Sequence, residues 1–353
     1  MSERKTKTAS DNERPRWPRP APVVGLREAG TNREYRLPAV ATISLGAAAD
    51  CDVTIASPLI SGVHCLLERD GEALRLRDHG SKNGTYLDGR KRSSGDVLDG
   101  SLLVVGTTPL FAFSEHSAVA RRRLQRWLGF ADTWQVAVDN ALRLVTSDRP
   151  VIFVGPKGSE PHRLARVMHE AGPRGSYPFL RVTAAQLETL AAQEQTLEQA
   201  QGGAIYVGAS KWPDDNALLV ERLTRPTPLV RLYSGAKSRG SATYPRSPGF
   251  ALDCAVVTIP PLVQRSGEIG LIVSEFAAEI ASVDLNLAAE AEAVLARYAW
   301  PHEISELLEV TEAIAWAAKL GSLRKAARHL GKTHPTLSNA LKRVGLDPKQ
   351  VGL

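Results

Sequence analysis

The feature that most restricts the fold of this chain is a change in its hydrophobic pattern after residue 114. Residues 22–114 contain short β-rich runs, such as Val63–Glu68, separated by clusters of Gly, Asp, Asn and Ser. Closely spaced short strands with turn residues between them predict an all-β sandwich. From about residue 130 to 260, helical stretches alternate with apolar runs such as Val151–Val154, which predicts a parallel sheet flanked by helices.

The same pattern predicts a multidomain fold. A chain of 353 residues is long enough for two or three domains of ~150 residues each. In chain order we expect a disordered basic tail over 1–21, an all-β sandwich over 22–114, a helical linker over 115–129, an α/β subdomain over 130–265, a helical subdomain over 266–318 and a small all-α unit over 319–353.

The net charge of +6 is concentrated at the two ends of the chain. Residues 321–353 hold seven Lys or Arg against one acid, and residues 1–20 hold six against three. A basic segment with a folded pattern favours nucleic-acid binding, and a solvated charged surface is the alternative.

Composition excludes several other classes of protein. No apolar run is long enough for a membrane helix, and the N-terminus lacks the apolar stretch of a secretory signal. Three scattered cysteines form neither a disulfide framework nor a zinc pattern. We therefore expect a cytoplasmic protein without a metal site and without a membrane partner.

Three separated motifs mark the first unit, at Leu45–Ala47, Ser61–His64 and Ser81–Thr85. Over roughly residues 22–113 they resemble the forkhead-associated (FHA) family, whose pattern is Gly-Arg, then Ser-x-x-His, then Ser-x-Asn-Gly-Thr. The resemblance implies an eleven-stranded β-sandwich whose loops at one end bind phosphothreonine, through a cation, hydroxyls and amides that converge on the phosphate.

The candidate phosphopeptide residues are Ser61 for a hydroxyl, Lys82 for charge and Asn83 for the peptide backbone. Ala47 replaces the arginine that faces the phosphate in the family, and the often basic position after Ser61 is Gly62. We therefore expect the FHA-like fold, but the sequence does not determine whether the site still binds phosphothreonine. A phosphorylated and an unphosphorylated protein partner both remain open.

A second set of landmarks runs from the loop after Val154, through Gly202-Gly203 and Pro260–Leu262, to Trp300-Pro301. In this order and spacing they resemble the central AAA+ domain of sigma-54-dependent transcription activators, over about residues 130–318. The family loop that engages the sigma factor has no counterpart between residues 186 and 201, which form a short Gln- and Ala-rich helical stretch instead.

The nucleotide chemistry of that family is missing here. A phosphate-binding loop needs Gly-x-x-x-x-Gly-Lys followed by Ser or Thr. The degenerate nucleotide loop of this chain holds Gly155, Gly158, Glu160 and Pro161, of which the last two occupy the second glycine and lysine positions. The positions of the family's magnesium-binding and water-activating acids are Gly208 and Ala209, and phosphoryl transfer needs such acids.

We therefore expect no enzyme activity, no catalytic residues and no cofactor, with ATP binding disfavoured. An active ATPase with displaced catalytic residues remains the alternative in the enzyme class. The domain would otherwise serve as a scaffold for oligomerisation or partner contacts.

The last unit has the pattern of a helix-turn-helix. Leu323, Ala326, Ala327 and Leu330 form one apolar face, Thr333 is a plausible N-cap, and a second apolar face follows. The pattern resembles the Fis-type DNA-binding domain, which commonly ends the activators just described. The candidate DNA contacts are His334, Thr336, Ser338, Asn339, Lys342, Arg343 and Arg328.

These observations together predict a DNA-binding transcriptional regulator, with an FHA-like module for a protein partner and a degenerate AAA+ core. We expect double-stranded DNA as the main partner and a homodimer or higher oligomer, because helix-turn-helix proteins often bind two half-sites. The alternatives are a phosphoprotein-docking scaffold without specific DNA binding, and a residual ATP-binding activator that interacts with sigma-54 polymerase.

Overall fold

The structure is a computed structural model that describes residues 21–71, 73–208, 230–237 and 254–347. The predicted basic tail, apart from Ala21, lies outside these residues. The strands of the N-terminal unit are β1 Gly25–Glu28, β2 Glu34–Arg36, β3 Thr42–Gly46, β4 Val53–Thr54, β5 Cys65–Asp70, β6 Ala73–Asp78, β7 Thr85–Leu87, β8 Arg90–Lys91, β9 Ser94–Val97, β10 Leu102–Val105 and β11 Thr108–Phe113.

These strands form two sheets, which confirms the predicted all-β sandwich. Within the described residues the strand orders are β2-β1-β11-β10-β7-β8 and β4-β3-β5-β6-β9. Strand β6 illustrates why the sequence folds this way, because Leu74 and Leu76 are buried while Arg75 and Arg77 are exposed. Alternating side chains point to opposite faces of a strand, so the leucines fill the space between the sheets.

The next unit is an α/β domain. Its described strands lie in the order β13-β14-β15-β12-β16, and all neighbouring pairs are parallel. The predicted apolar runs form these strands. The elements are α1 Glu115–Leu128, α2 Asp132–Val145, β12 Val151–Gly155, α3 Pro161–Ala171, β13 Phe179–Val182, a 3-10 turn Ala184–Leu187, α4 Leu190–Gln199, β14 Ala204–Val207, β15 Arg231–Lys237 and β16 Ala255–Thr258.

Helices make up the rest of the described chain, after a 3-10 segment at Leu262–Glu268. They are α5 Ile269–Ala281, α6 Ala289–Arg297, α7 Glu303–Leu320, α8 Leu323–His329 and α9 His334–Arg343. One hydrophobic core runs from α1 through the parallel sheet to α7, α8 and α9. Within the described ranges, no helix is both long enough and apolar enough to cross a membrane.

Helix α1 is packed between the sandwich and the α/β domain. Its buried residues Leu124, Trp127 and Leu128 belong to the main core. On its exposed side Arg122 Nη2 pairs with a Glu275 carboxylate oxygen of α5 at 2.5 Å. The segment predicted as a linker is therefore a helix fixed on both sides.

A buried polar network joins the sandwich to α1 and α2. Arg27 of β1 pairs with Asp139 of α2 at 2.7 Å, and the other carboxylate oxygen of Asp139 accepts the Gly30 N–H at 2.9 Å. Arg121 of α1 lies beside this pair and donates to Gln135. Burial and the neighbouring Arg27 lower the pKa of Arg121 to about 10. The Asp139 carboxylate therefore lies between two buried guanidinium groups, and Glu34 lies 3.7 Å from Arg121 as a second, exposed anion.

Removing this carboxylate should destabilise the contact between the two units. We expect Asp139→Ala to lower the free energy of unfolding by about 3–5 kcal/mol, because it leaves Arg27 buried without its anion and leaves Arg121 with only the exposed Glu34. Urea denaturation of the full chain measures this. Asp96 is the control, since its pair with Arg75 is exposed and Asp96→Ala should cost less than about 1 kcal/mol. Equal losses in both variants would contradict the prediction.

Candidate functional site

Three loops meet at one end of the sandwich and carry the predicted peptide-binding residues. The Ala47 N–H donates to the Ser61 carbonyl oxygen at 2.9 Å, and the Lys82 N–H donates to Ser61 Oγ at 3.1 Å. Asn83 Nδ2 donates to the Leu59 carbonyl oxygen at 2.8 Å. Ser61, Lys82 and Asn83 are thus brought together by the β4–β5 and β6–β7 loops.

Two buried or partly buried side chains hold these loops in place. His64 Nδ1 accepts the Ser61 N–H at 3.2 Å, so its Nε2 carries the proton and donates to the Gly84 carbonyl oxygen at 3.3 Å. Asp78 accepts hydrogen bonds from the N–H and the hydroxyl of Ser81 at 2.9 and 2.6 Å. Burial alone would raise the pKa of Asp78, but hydrogen bonds led by that of Ser81 outweigh it and lower the pKa.

The charge at this end of the sandwich comes from lysines. Ala47 is half-buried with its methyl group against the sandwich core, whereas Lys82 is exposed. A second lysine, which sequence reasoning missed, is Lys91 of β8. A Cβ placed on Gly84 would lie 2.2 Å from Lys91 Cε and 2.7 Å from Lys91 Nζ, so the Lys91 side chain crosses the β6–β7 loop. The signal was available in the Arg90–Arg92 run that follows the Asp88-Gly89 turn.

The degenerate nucleotide loop follows β12 at the carboxyl edge of the parallel sheet, which is where open sheets of this kind bind ligands. Glu160 adopts φ +52° and ψ +49° immediately before α3, and Pro161 begins that helix. This is a left-handed conformation that glycine adopts readily. The loop therefore keeps the backbone turn of a glycine while presenting a carboxylate.

The side chains around Glu160 neutralise it from within the protein. Its Oε2 lies 3.5 Å from His162 Nδ1 and 3.7 Å from Arg163 Nε, and Arg181 Nη1 lies 3.1 Å from His162 Nε2. Burial, together with the charges of Arg181 and Arg163, lowers the pKa of His162 to about 4. His162 is therefore neutral at pH 7, and the positive charge that faces Glu160 comes from Arg163.

The turn before α7 lies directly on this loop. The Gly158 carbonyl oxygen accepts the Ser305 N–H at 2.9 Å. Gly158 has φ +94°, and a Cβ on it would lie 2.2 Å from the His302 carbonyl oxygen. Of the positions expected to lack acids, Gly208 directly follows β14, and Ala209 lies outside the described residues.

Among the residues that the structure describes, no group of three or more His, Cys, Asp or Glu is placed to hold a metal ion.

Helices α8 and α9 form a compact pair on α7. Thr333 caps α9, with its Oγ1 accepting the Thr336 N–H at 3.3 Å. Ala326 and Ala327 of α8 and Leu337 of α9 are buried in the main core. The apolar faces expected from the sequence thus pack inward, and the charged residues of both helices remain outside.

The predicted DNA contacts divide into two groups. His334, Thr336, Asn339, Lys342 and Arg328 are exposed. Ser338 is buried, with 9% of its surface exposed, and is the least accessible of the predicted DNA contacts. Arg343 pairs with Glu306 Oε1 at 2.7 Å and Glu309 Oε2 at 2.9 Å of α7, which gives this side chain an anchoring role.

Comparison with known proteins identifies part of the chain. The FHA domain model matches residues 43–106, so the sandwich carries an FHA domain. The first FHA domain of Rv1747 from Mycobacterium tuberculosis is similar at 30% identity and TM-score 0.23, over 26% of this chain and 98% of that chain. No curated protein matches the chain.

Two further solved structures are similar at lower identity. EmbR from Mycobacterium tuberculosis, in complex with a low affinity phosphopeptide, matches at 22% identity and TM-score 0.25, over 26% of this chain and 24% of that chain. NtrX from Brucella abortus, in complex with ATP, matches at 18% identity and TM-score 0.39, over 60% of this chain and 67% of that chain.

A methyl group added at Gly158 should disrupt the contact between the loop and the turn before α7. We expect Gly158→Ala to lower the free energy of unfolding by about 1–3 kcal/mol, because its positive φ and the close His302 carbonyl oxygen both oppose a Cβ. Gly208→Ala is the matched control, since a Cβ there meets nothing within 4 Å, and it should stay within about 0.5 kcal/mol of the parent. A Gly158→Ala variant as stable as the Gly208→Ala variant would argue against the contact.

Proposed function

We propose that this chain is a DNA-binding transcription regulator that does not hydrolyse ATP. In this proposal α8 and α9 form the DNA-binding unit, and the FHA domain docks a protein partner that controls occupancy of the DNA. The α/β domain connects the two as a structural core.

The observation that best supports DNA binding is the distribution of charge on the α8–α9 pair. Between residues 322 and 346 the chain contains six Lys or Arg and neither Asp nor Glu. Arg324, Lys325, Arg328 and Lys342 are exposed, while the apolar residues of the same helices pack on α7. A short helix pair with one buried face and one basic face suits the phosphate backbone of DNA.

The second helix of such a pair enters the major groove with its N-terminal residues. His334 and Thr336 lie in the first turn of α9 and are exposed, and Asn339 is exposed one turn later. An asparagine amide can donate and accept together, and therefore pairs with adenine in the major groove. We assign base recognition to this helix and phosphate contacts to Arg328 and Lys342.

The first test of DNA binding is enrichment of fragmented genomic DNA on the full-length chain, followed by sequencing. We expect a shared, roughly palindromic site. Lys342→Ala should weaken binding to all sequences and reduce the salt slope by about 1, because one phosphate contact is lost. Asn339→Ala should relax the preference at one base pair and cost about 1–3 kcal/mol there.

Point variants are needed because α8 and α9 share the core of α7, and deleting them would expose that core. Arg75→Ala is the matched control, since it removes an exposed positive charge from the sandwich and should leave DNA binding unchanged. Absence of any enriched site, or equal enrichment by the parent and Lys342→Ala, would favour the scaffold alternative.

We also propose that the α/β domain binds no nucleotide productively. Glu160 would meet phosphate with a like charge, and Pro161 supplies neither an ammonium group nor an N–H. We expect Mg-ATP to release no phosphate above a buffer blank and to leave the melting temperature unchanged. Turnover that falls in Lys157→Ala, which removes a lysine of the same loop, would support the alternative of displaced catalytic residues.

The FHA domain supports a docking role. FHA domains recognise phosphorylated segments of proteins. Here Ser61, Lys82 and Asn83 lie together on adjoining loops. We propose a protein partner at these loops and a homodimer on DNA, in which two α9 helices address two half-sites.

A further inference from the structure

We propose that Lys91 of β8 is a ligand-contacting residue of these loops: together with Lys82 it supplies the positive charge that Ala47 cannot supply to a docked phosphothreonine. This inference rests on the proposed docking function and assigns a residue to it. Lys91 lies on the β7–β8 hairpin beside Gly84, whereas Ala47 follows the end of β3.

The position of Lys91 follows from strand register. Strands β7 and β8 pair antiparallel with Tyr86 opposite Lys91, which places the Lys91 side chain alongside the start of β7. Its Cε and Nζ lie 2.2 and 2.7 Å from the position of a Cβ on Gly84. Asn83, which immediately precedes Gly84, is held by the Leu59 carbonyl oxygen. The Lys91 ammonium group therefore lies beside the loop that carries Lys82 and Asn83.

The lysine side chains at these loops carry positive charge that can bind an anion. Lys82 and Lys91 are both exposed, and neither forms an ion pair within the described part of the chain. The nearby carboxylate of Asp78 is occupied by three hydrogen bonds from Ser81 and Thr85. Two uncompensated ammonium groups match the charge of about −1.5 to −2 that phosphothreonine carries at pH 7.

The lysines also suit this geometry chemically. An ammonium group is a point charge with three donors on a flexible stem, so it needs no fixed bidentate alignment with phosphate. The Ser61 hydroxyl accepts the Lys82 N–H and still has its own hydrogen to donate to a phosphate oxygen. Exposed Leu59 and Val63, either side of Ser61 in sequence, add apolar surface for the rest of a peptide.

The test measures binding of the full-length chain to two peptide pools that differ only by phosphate on a central threonine. The parent should retain the phosphorylated pool, and individual peptides from it should give a fluorescence anisotropy Kd. Lys91→Met keeps the stem over Gly84 and removes the charge, so its Kd should rise about tenfold or more. Lys91→Arg should stay within about threefold of the parent.

Matched controls separate this effect from folding and net charge. Arg90→Met removes one charge from the same strand on the opposite face and should change Kd by less than about twofold. Adding Ala47→Arg to Lys91→Met should restore binding, because it returns a cation to the other side of Ser61. The thermal unfolding of Lys91→Met should equal that of the parent.

The possible results distinguish the role of Lys91 from docking itself and from the phosphorylation of the partner. A parent that retains the phosphorylated pool with a Lys91→Met variant of equal affinity would overturn the role of Lys91 and leave docking intact. A parent that retains neither pool would overturn docking itself. Equal retention of both pools would assign these loops to an unphosphorylated partner and overturn the phosphothreonine ligand.

Discussion

The arrangement of the described chain depends on the burial of α7. One side of its first turn lies on the degenerate loop, where the Ser305 N–H reaches the Gly158 carbonyl oxygen. The middle of α7 packs in the main core. The buried Glu306 carboxylate accepts a hydrogen bond from the Tyr298 hydroxyl and forms an ion pair with Arg343 of α9. A buried carboxylate is tolerated only when it is satisfied in this way. The loop, the helical turn and the α8–α9 pair are therefore positioned by one helix.

The loop after β12 shows that the backbone conformation of a turn can form whatever the side chains that occupy it. Glu160 occupies the left-handed conformation at the start of α3, and Pro161 fits the first helical position, so the strand, turn and helix all form. The Glu160 side chain presents a carboxylate that faces His162 and Arg163. Folding constrains φ and ψ at such a turn, whereas ligand binding constrains the side chains, so the two constraints can be met independently.

Hydrophobic periodicity predicted most of the strands and helices correctly, because alternation at β6 and the i, i+3, i+4 spacing of α8 report directly on burial. It could not predict the contacts between units. The Arg27–Asp139 pair joins residues more than a hundred positions apart, and neither residue lies in a recognisable motif. The burial of Ser338 could not be predicted either, because it depends on tertiary packing and not on the polarity of the residue. The sequence did not predict Lys91 as a site residue, because the strand register that brings Lys91 to Gly84 is fixed only in the folded sandwich.

Under the proposed function, these contacts also restrict how a docked partner could influence DNA binding. The α8–α9 pair is joined to α7 by shared core residues and by the Arg343 and Lys332 ion pairs, so it has no separate hinge from the α/β domain among the described residues. The sandwich meets that domain through a polar network centred on Asp139. Polar interfaces within a chain are exchanged more readily than apolar cores. A regulatory movement would therefore occur between the FHA domain and α1–α2, and it would change the access of DNA to the whole C-terminal body rather than the internal geometry of the helix pair.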